Sequence, residues 1–192
     1  SSAAFPIVAA LIVPGSKISI DSMMINPGRD GLIKTLIEMG AKIKLFNEKV
    51  VCGEKTVSVD VEYSELIGVT VPSNRVPSMI DEFPILSIAA SKAKGETIMK
   101  GISELRLKES DRIKATVDSL GKLGANISEL EDGMRITGGK KLNGAELSSH
   151  GDHRIAMMNG VAGLVSPGTT TILDSEVASV SYPSFWETLG NI

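Results

Sequence analysis

Ala9-Ala10-Leu11-Ile12-Val13-Pro14-Gly15-Ser16-Lys17-Ile18 recurs twice, in altered form, further along the 192-residue chain. The second copy is Ala89-Ala90-Ser91-Lys92-Ala93-Lys94-Gly95-Glu96-Thr97-Ile98. The third is Ala162-Gly163-Leu164-Val165-Ser166-Pro167-Gly168-Thr169-Thr170-Thr171-Ile172. Each reads as the end of a small-residue helix, a glycine C-cap and the start of a strand. A second unit recurs as well. Lys34-Thr35-Leu36-Ile37-Glu38-Met39-Gly40-Ala41-Lys42-Ile43 matches Asp118-Ser119-Leu120-Gly121-Lys122-Leu123-Gly124-Ala125-Asn126-Ile127, with a shortened third copy at Phe185-Trp186-Glu187-Thr188-Leu189-Gly190-Asn191-Ile192. The copies lie about 70–85 residues apart, too far for a solenoid period. Three βαβαββ-like units inside one domain account for that spacing.

Helices rich in Ala, Gly and Met, with few charges on any face, are buried on several sides. Three of them packed together, with strands outside, give an α/β domain whose helices lie inside. Ala3 to Val13 reads as one such buried helix. Arg29 to Met39 mixes charged and apolar residues and belongs nearer the surface. Val69-Thr70-Val71-Pro72-Ser73-Asn74-Arg75-Val76-Pro77 reads as strand, turn and a proline-containing entry to the next helix.

Hydrophobic residues make up 42% of the chain and aromatics only 4%, so the core must be aliphatic. A net charge of −3 argues against a nucleic-acid or membrane-surface protein. Basic residues gathered on one face then point to a small anionic ligand. Cys52 is the only cysteine, which leaves no internal disulfide and no CxxC pair for zinc. In Val50-Val51-Cys52 it reads as a small apolar residue, not a nucleophile, and a reducing cytoplasm fits. No apolar run reaches the ~18 residues of a membrane span. His150 and His153 have no further ligand nearby in sequence, so no metal is expected, and no cofactor motif occurs. Ser1-Ser2-Ala3-Ala4-Phe5 opens already inside an apolar helix pattern and without Met, which reads as a cut chain.

Chemistry concentrates in Leu105-Arg106-Leu107-Lys108-Glu109-Ser110-Asp111-Arg112. A helix starting near Ser110 offers free backbone N–H groups and a positive dipole end. Lys108 and Arg112 beside it make an anion site, in which Glu109 can carry a proton. A second cluster is Asp81, in Met79-Ile80-Asp81-Glu82-Phe83-Pro84. It reads as a helix N-cap, and also as a carboxylate that stays ionised near cations and accepts a proton. The third is Gly151-Asp152-His153-Arg154. Asp152 reads as an N-cap, Met157 and Met158 as core. Arg154 in a first turn opposes the helix dipole, which a bound anion explains better than packing does.

At these residues the chain resembles the 5-enolpyruvylshikimate-3-phosphate (EPSP) synthase family. Leu105 to Ile113 (LRLKESDRI) and Gly151 to Met157 (GDHRIAM) carry the likeness. Ile25-Asn26-Pro27 with Arg29, Pro77 to Glu82 and Ser181-Tyr182-Pro183-Ser184-Phe185 extend it over essentially all 192 residues. The resemblance implies an inside-out α/β barrel, or α–β prism, of three βαβαββ repeats. It implies that residues 1–192 are the second, C-terminal domain of a two-domain enzyme, with the first domain absent from this chain and the active site in the cleft between them. A short N-terminal segment and the first domain's substrate contacts are missing with it.

The implied reaction moves the enolpyruvyl group of phosphoenolpyruvate to the 5-hydroxyl of shikimate 3-phosphate and releases phosphate. By the same resemblance Asp81 is the proton acceptor and touches the shikimate hydroxyls. Lys108 binds the shikimate 3-phosphate, Glu109 is the proton donor, Arg112 and Arg154 bind phosphoenolpyruvate, and His153 lines the site. Glu104 stands where some members have Asn near the shikimate phosphate, and Val180 where some have a Lys that contacts phosphoenolpyruvate. Neither joins the expected site. The expected partners are the two substrates and the first domain, in a cytoplasmic enzyme that is a monomer when complete. The rival readings are the related enolpyruvyl transferase acting on UDP-N-acetylglucosamine and a non-catalytic anion-binding half-domain.

Overall fold

The computed structural model describes residues 2–192. Its helices are α1 (Ala4–Ile12), α2 (Gly31–Glu38), α3 (Phe83–Lys92), α4 (Arg112–Lys122), α5 (His153–Gly163) and α6 (Phe185–Leu189). Its strands are β1 (Lys17–Met24), β2 (Lys42–Val51), β3 (Glu54–Glu62), β4 (Glu96–Met99), β5 (Asn126–Leu130), β6 (Gly133–Thr137), β7 (Glu146–Ser148) and β8 (Thr171–Leu173). The expected buried helix at the chain's start is α1, with every residue from Ala4 to Ile12 out of solvent. It begins at Ala4, after a turn at Ser2 and Ala3, and the part of that reading that concerns Ser1 lies outside the described residues.

Helices α1, α3 and α5 pack against one another, and each also lies on strands of its own sheet. Helix α1 covers β1 and β3, α3 covers β4 and β6, and α5 covers β7 and β8. Small side chains permit this. Ala9, Ala10, Ala89, Ala90, Ala156 and Ala162 are all fully buried, so the helices approach closely at little cost in side-chain entropy. Pro6 and Pro84 fall in first turns, where no N–H would be bonded within the helix anyway.

Two sheets are antiparallel, in the orders β1-β3-β2 and β4-β6-β5. The third pairs β7 with β8 in parallel. An extended segment at 67–70 also runs parallel to β4, bridging Ile67 to Lys94 and Thr70 to Ile98. In β3 the residues Val57, Val59 and Val61 alternate onto the core face. The glycines that end the three buried helices, Gly15, Gly95 and Gly168, have φ of +83°, +94° and +95°. A side-chain-bearing residue is strained at such φ whatever the space around it, so the repeated glycine of the sequence has a conformational cause. The third copy of the shorter unit departs from the pattern, since Gly190 has φ −68°.

Helix α2 is one-sided, as expected, with Leu32, Ile33 and Leu36 inside. Cys52 differs from its expected place. It is exposed, in the tight turn between β2 and β3, at φ +52°. The neighbouring Val50 and Val51 are exposed too, because the far end of this hairpin extends beyond the core. Among the described residues no helix is long and apolar enough to cross a membrane, and no group of three or more His, Cys, Asp or Glu is arranged to hold a metal.

Candidate active site

Two aspartate caps set the site's framework. The Asp111 side chain accepts a hydrogen bond from the Lys114 amide at 3.0 Å and starts α4. The Asp152 side chain accepts from the Arg154 amide at 2.9 Å and starts α5. Each cap satisfies an N–H that would otherwise be unpaired. The helix starts so fixed place Arg112 and Arg154 in first turns. Asp81 is not a cap, contrary to the sequence expectation. It sits in a 3₁₀ turn at Ile80–Glu82, and neither that turn nor α3 has a side-chain cap bond. Its carboxylate is turned to cations instead.

Arg112 lies at the centre. It is the largest fully buried side chain, 1% exposed. Its Nε donates to Asp152 Oδ2 at 2.8 Å and its Nη1 to Asp81 Oδ1 at 2.9 Å. Its Nη2 donates to Glu109 Oε2 and, at 3.4 Å, to Asp152 Oδ1. Lys108 Nζ is 3.8 Å from the same Asp81 oxygen, and Arg154 Nη2 is 3.8 Å from the other one. Arg154 also donates through Nη1 to the Asp81 carbonyl at 3.2 Å and lies 3.8 Å from Glu82. Thus Asp81, Lys108, Glu109, Arg112 and Arg154, from three separate segments, meet in one ionic cluster. His153 is half-buried in the first turn of α5 beside Arg154 and takes no part in these ion pairs. Val180 is 78% exposed, at the end of a 3₁₀ turn spanning Ser175–Val180.

Some members of this constellation are not legible in the sequence. Asp152 reads there only as a cap. In the structure it is fully buried and also receives Arg112 and the Ser110 hydroxyl, the latter at 3.1 Å. Burial pushes the Asp152 carboxyl up, but Arg112, the Arg154 amide and Ser110 more than offset this and hold its pKa below the ordinary value. Arg106 is the other. Its Nη1 reaches Asp111 at 3.0 Å and Glu129 at 2.7 Å, while Nη2 donates to the carbonyls of Leu130 and Glu131. It therefore ties the turn that carries Lys108 and Glu109 to the β5–β6 hairpin. Apart from the Arg154 amide for Asp152 and Asp111 for Arg106, the partners of both residues lie more than 20 positions away in sequence, so no local pattern reveals them. Lys108 itself is held by Glu104 at 2.6 Å, and that hydrogen bond raises its pKa against partial desolvation.

A cavity of about 140 Å³ opens beside Asp81, walled in part by Arg29, Ser78 and Met79. A larger one, about 570 Å³, lies between β1 and the segment at 181–192. It is mostly apolar, with Asp21 the one Asp, Glu, Lys or Arg among the described residues that line it. Of the cluster, only Asp81 lines the smaller cavity, whose other charged wall residues are Arg29 and Glu82, so the groups suited to anions are those of the cluster itself and not of the cavity wall. Guanidinium and ammonium groups bind carboxylate and phosphate, and the adjoining carboxylates can exchange protons with a bound substrate.

The family model described as EPSP synthase (3-phosphoshikimate 1-carboxyvinyltransferase) matches residues 1–189. A 3-phosphoshikimate 1-carboxyvinyltransferase of Carboxydothermus hydrogenoformans is 49% identical over 189 residues, covering 98% of this chain and 44% of that protein. Its counterpart in Chelativorans sp. is 50% identical over 190 residues, covering 97% and 42%. The solved EPSP synthase of Acinetobacter baumannii superposes with a TM-score of 0.96 at 40% identity, over 99% of this chain and 44% of that one. The chain thus spans under half the length of these relatives. With one family matching along its length in both sequence and backbone, the chain belongs to the EPSP synthase family.

Proposed function

We propose that this chain is the second domain of an enzyme that transfers the enolpyruvyl group of phosphoenolpyruvate to the 5-hydroxyl of shikimate 3-phosphate. The observation that carries the reading is Asp81, a carboxylate approached by Lys108, Arg112 and Arg154 at 3.8, 2.9 and 3.8 Å. A base surrounded by anion-binding groups is what an addition between two anionic substrates requires. Family membership and the shared span with named 3-phosphoshikimate 1-carboxyvinyltransferases support the same assignment. The domain is read as three βαβαββ units wrapped into a prism with α1, α3 and α5 inside. The order of elements and the packing of those helices support this.

In this reading Lys108 holds the 3-phosphate of the shikimate ring, while Arg112 and Arg154 hold phosphoenolpyruvate. His153 lines the same site. Asp81 takes the proton of the 5-hydroxyl as its oxygen bonds to C2 of phosphoenolpyruvate. Glu109 gives a proton to C3, turning the methylene into a methyl group. Elimination then removes one methyl proton, re-forms the C2–C3 double bond and expels phosphate. Charges fixed before reaction lower the barrier because nothing has to reorient as charge develops. The remaining contacts to both substrates come from the other domain, in a cytoplasmic enzyme that is monomeric when complete.

The test is a phosphate-release assay with both substrates. It is run on this chain alone and together with the complementary segment of the Carboxydothermus hydrogenoformans relative. Phosphate release that needs both pieces and both substrates is the expected result. No release from the pair, although each piece is folded, counts against the assignment.

A further inference from the structure

Every cation of the cluster already has a carboxylate partner: Lys108 has Glu104, Arg112 has Glu109, Asp81 and Asp152, and Arg154 has Asp81. The partners are not equal. Asp152 is fully buried and accepts from Ser110, Arg112 and the Arg154 amide at once, so it is fixed. Glu104 is at the other extreme. Its side chain is 64% exposed and stands in a 3₁₀ turn at Ser103–Leu107, four residues before Lys108. The two side chains meet at 2.6 Å on the surface. A carboxylate so placed pairs with Lys108 cheaply and leaves into water cheaply.

We propose that Glu104 sets the affinity of the Lys108 subsite for phosphate, as an internal competitor that an incoming phosphate group must displace. This rests on the reading of Lys108 as a phosphate contact. An ammonium has three donors but a compact charge. A phosphate monoester bound at Lys108 with Glu104 still in place would hold two anions against one cation, and their repulsion opposes binding. Displacement costs the Lys108–Glu104 pair, and that cost is small because the Glu104 side chain, 64% exposed against 25% for Lys108, leaves into water. The consequence is a subsite tuned below its full strength, which releases a phosphorylated product more readily than a bare lysine would.

The experiment titrates the chain with inorganic phosphate, with shikimate 3-phosphate and with phosphoenolpyruvate, by calorimetry and by the ¹³C shift of the Glu104 carboxyl. Wild type is compared with Glu104→Gln and with Glu65→Gln. The latter removes one charge from a more exposed ion pair, with Lys94, and so controls for net charge. The expected result is about two- to fivefold tighter phosphate and shikimate 3-phosphate binding in Glu104→Gln, the scale of one exposed ion pair. Glu65→Gln is expected to match wild type, and phosphate is expected to move the wild-type Glu104 shift toward that of a free glutamate. Equal affinities in wild type and Glu104→Gln overturn the inference, and so does an equal gain in Glu65→Gln. If the substrates still bind in those cases, the enolpyruvyl-transfer reading stands. Tighter phosphate binding in Glu104→Gln, with phosphoenolpyruvate ignored by every variant, supports the inference and counts against that reading. Absence of binding by all variants overturns both.

Discussion

Arg112 and Asp152 form an ion pair that water does not reach: Nε to Oδ2 is 2.8 Å, with the two side chains 1% and 0% exposed. A buried pair adds little net stability when intact, because both ions lost their hydration, but breaking it leaves a charge stranded. Asp152 is also the cap of α5. Asp152→Ala is therefore expected to lower stability by about 3–4 kcal/mol, combining an unpaired buried guanidinium with a lost cap. Arg112 retains Asp81 and Glu109, which keeps the loss near the low end of the range for buried pairs. Urea unfolding checks this, and a loss below 1 kcal/mol would show that Asp152 is not holding Arg112.

The same carboxylate gives a pH dependence of known sign. Its folded pKa lies below the unfolded one. The stability it contributes is thus complete above the ordinary aspartate value, ~3.9, and is lost as the pH falls through the lower folded value. Below about pH 4 the wild type should lose stability more steeply than Asp152→Asn. Parallel profiles down to pH 2 would contradict the assignment, since all other acids are common to both proteins.

Lys108 and Arg154 approach Asp81 from opposite carboxylate oxygens. If they serve different substrates, Lys108→Ala weakens shikimate 3-phosphate more than phosphoenolpyruvate, and Arg154→Ala does the reverse. Loss of one charge-assisted hydrogen bond costs about 1.5–3 kcal/mol, or roughly ten- to a hundredfold in affinity. Separate titrations of the two ligands, with the complementary domain present, measure this. Equal losses for both ligands would dissolve the distinction.

Arg106 grips the hairpin carbonyls while holding Asp111 and Glu129. Arg106→Ala should cost about 1–2 kcal/mol, as part of the charge-assisted bonding is exposed. It should also speed amide exchange from 103 to 111 while leaving the buried helices protected. Unchanged exchange in that turn would mean that Lys108 and Glu109 are held by something else.

Gly95 has φ +94° and open space where a side chain would project. Gly95→Ala therefore isolates backbone strain from crowding. It should destabilise by about 1–2 kcal/mol, read from the thermal or urea midpoint. A neutral result would show that this turn relaxes freely.

The recurring glycines and the small-residue helices were legible in the sequence because both depend on local rules, steric freedom at positive φ and the absence of charge on any helix face. The same holds for α1 and for the Asp152 cap, whereas the meeting of Asp81, Lys108, Glu109, Arg112 and Arg154 is a long-range arrangement that was expected from the family resemblance. The misreadings have local causes too. Asp81 has the residue type of a cap but bonds to cations across the domain, and Cys52 follows two valines that leave the core at the hairpin's tip. The second roles of Asp152 and Arg106 could not be read, because each depends on partners that only the folded chain brings near. For Asp152 that partner is Arg112, 40 residues away.

The hairpin turn at Glu131 and Asp132 looks like a place where a loop could be lengthened without consequence. Yet the Glu131 carbonyl accepts from Arg106, while the Asp132 carbonyl takes the Ile102 amide and its side chain the Gly101 amide at 3.0 Å. Surface turns are ordinarily where insertions, tags and circular permutations succeed. Here the turn is a template on which the loop bearing Lys108 and Glu109 is moulded. A protein engineer seeking a permissive position should pass over it for the Cys52-Gly53 tip, which extends away from the core and holds nothing of the site.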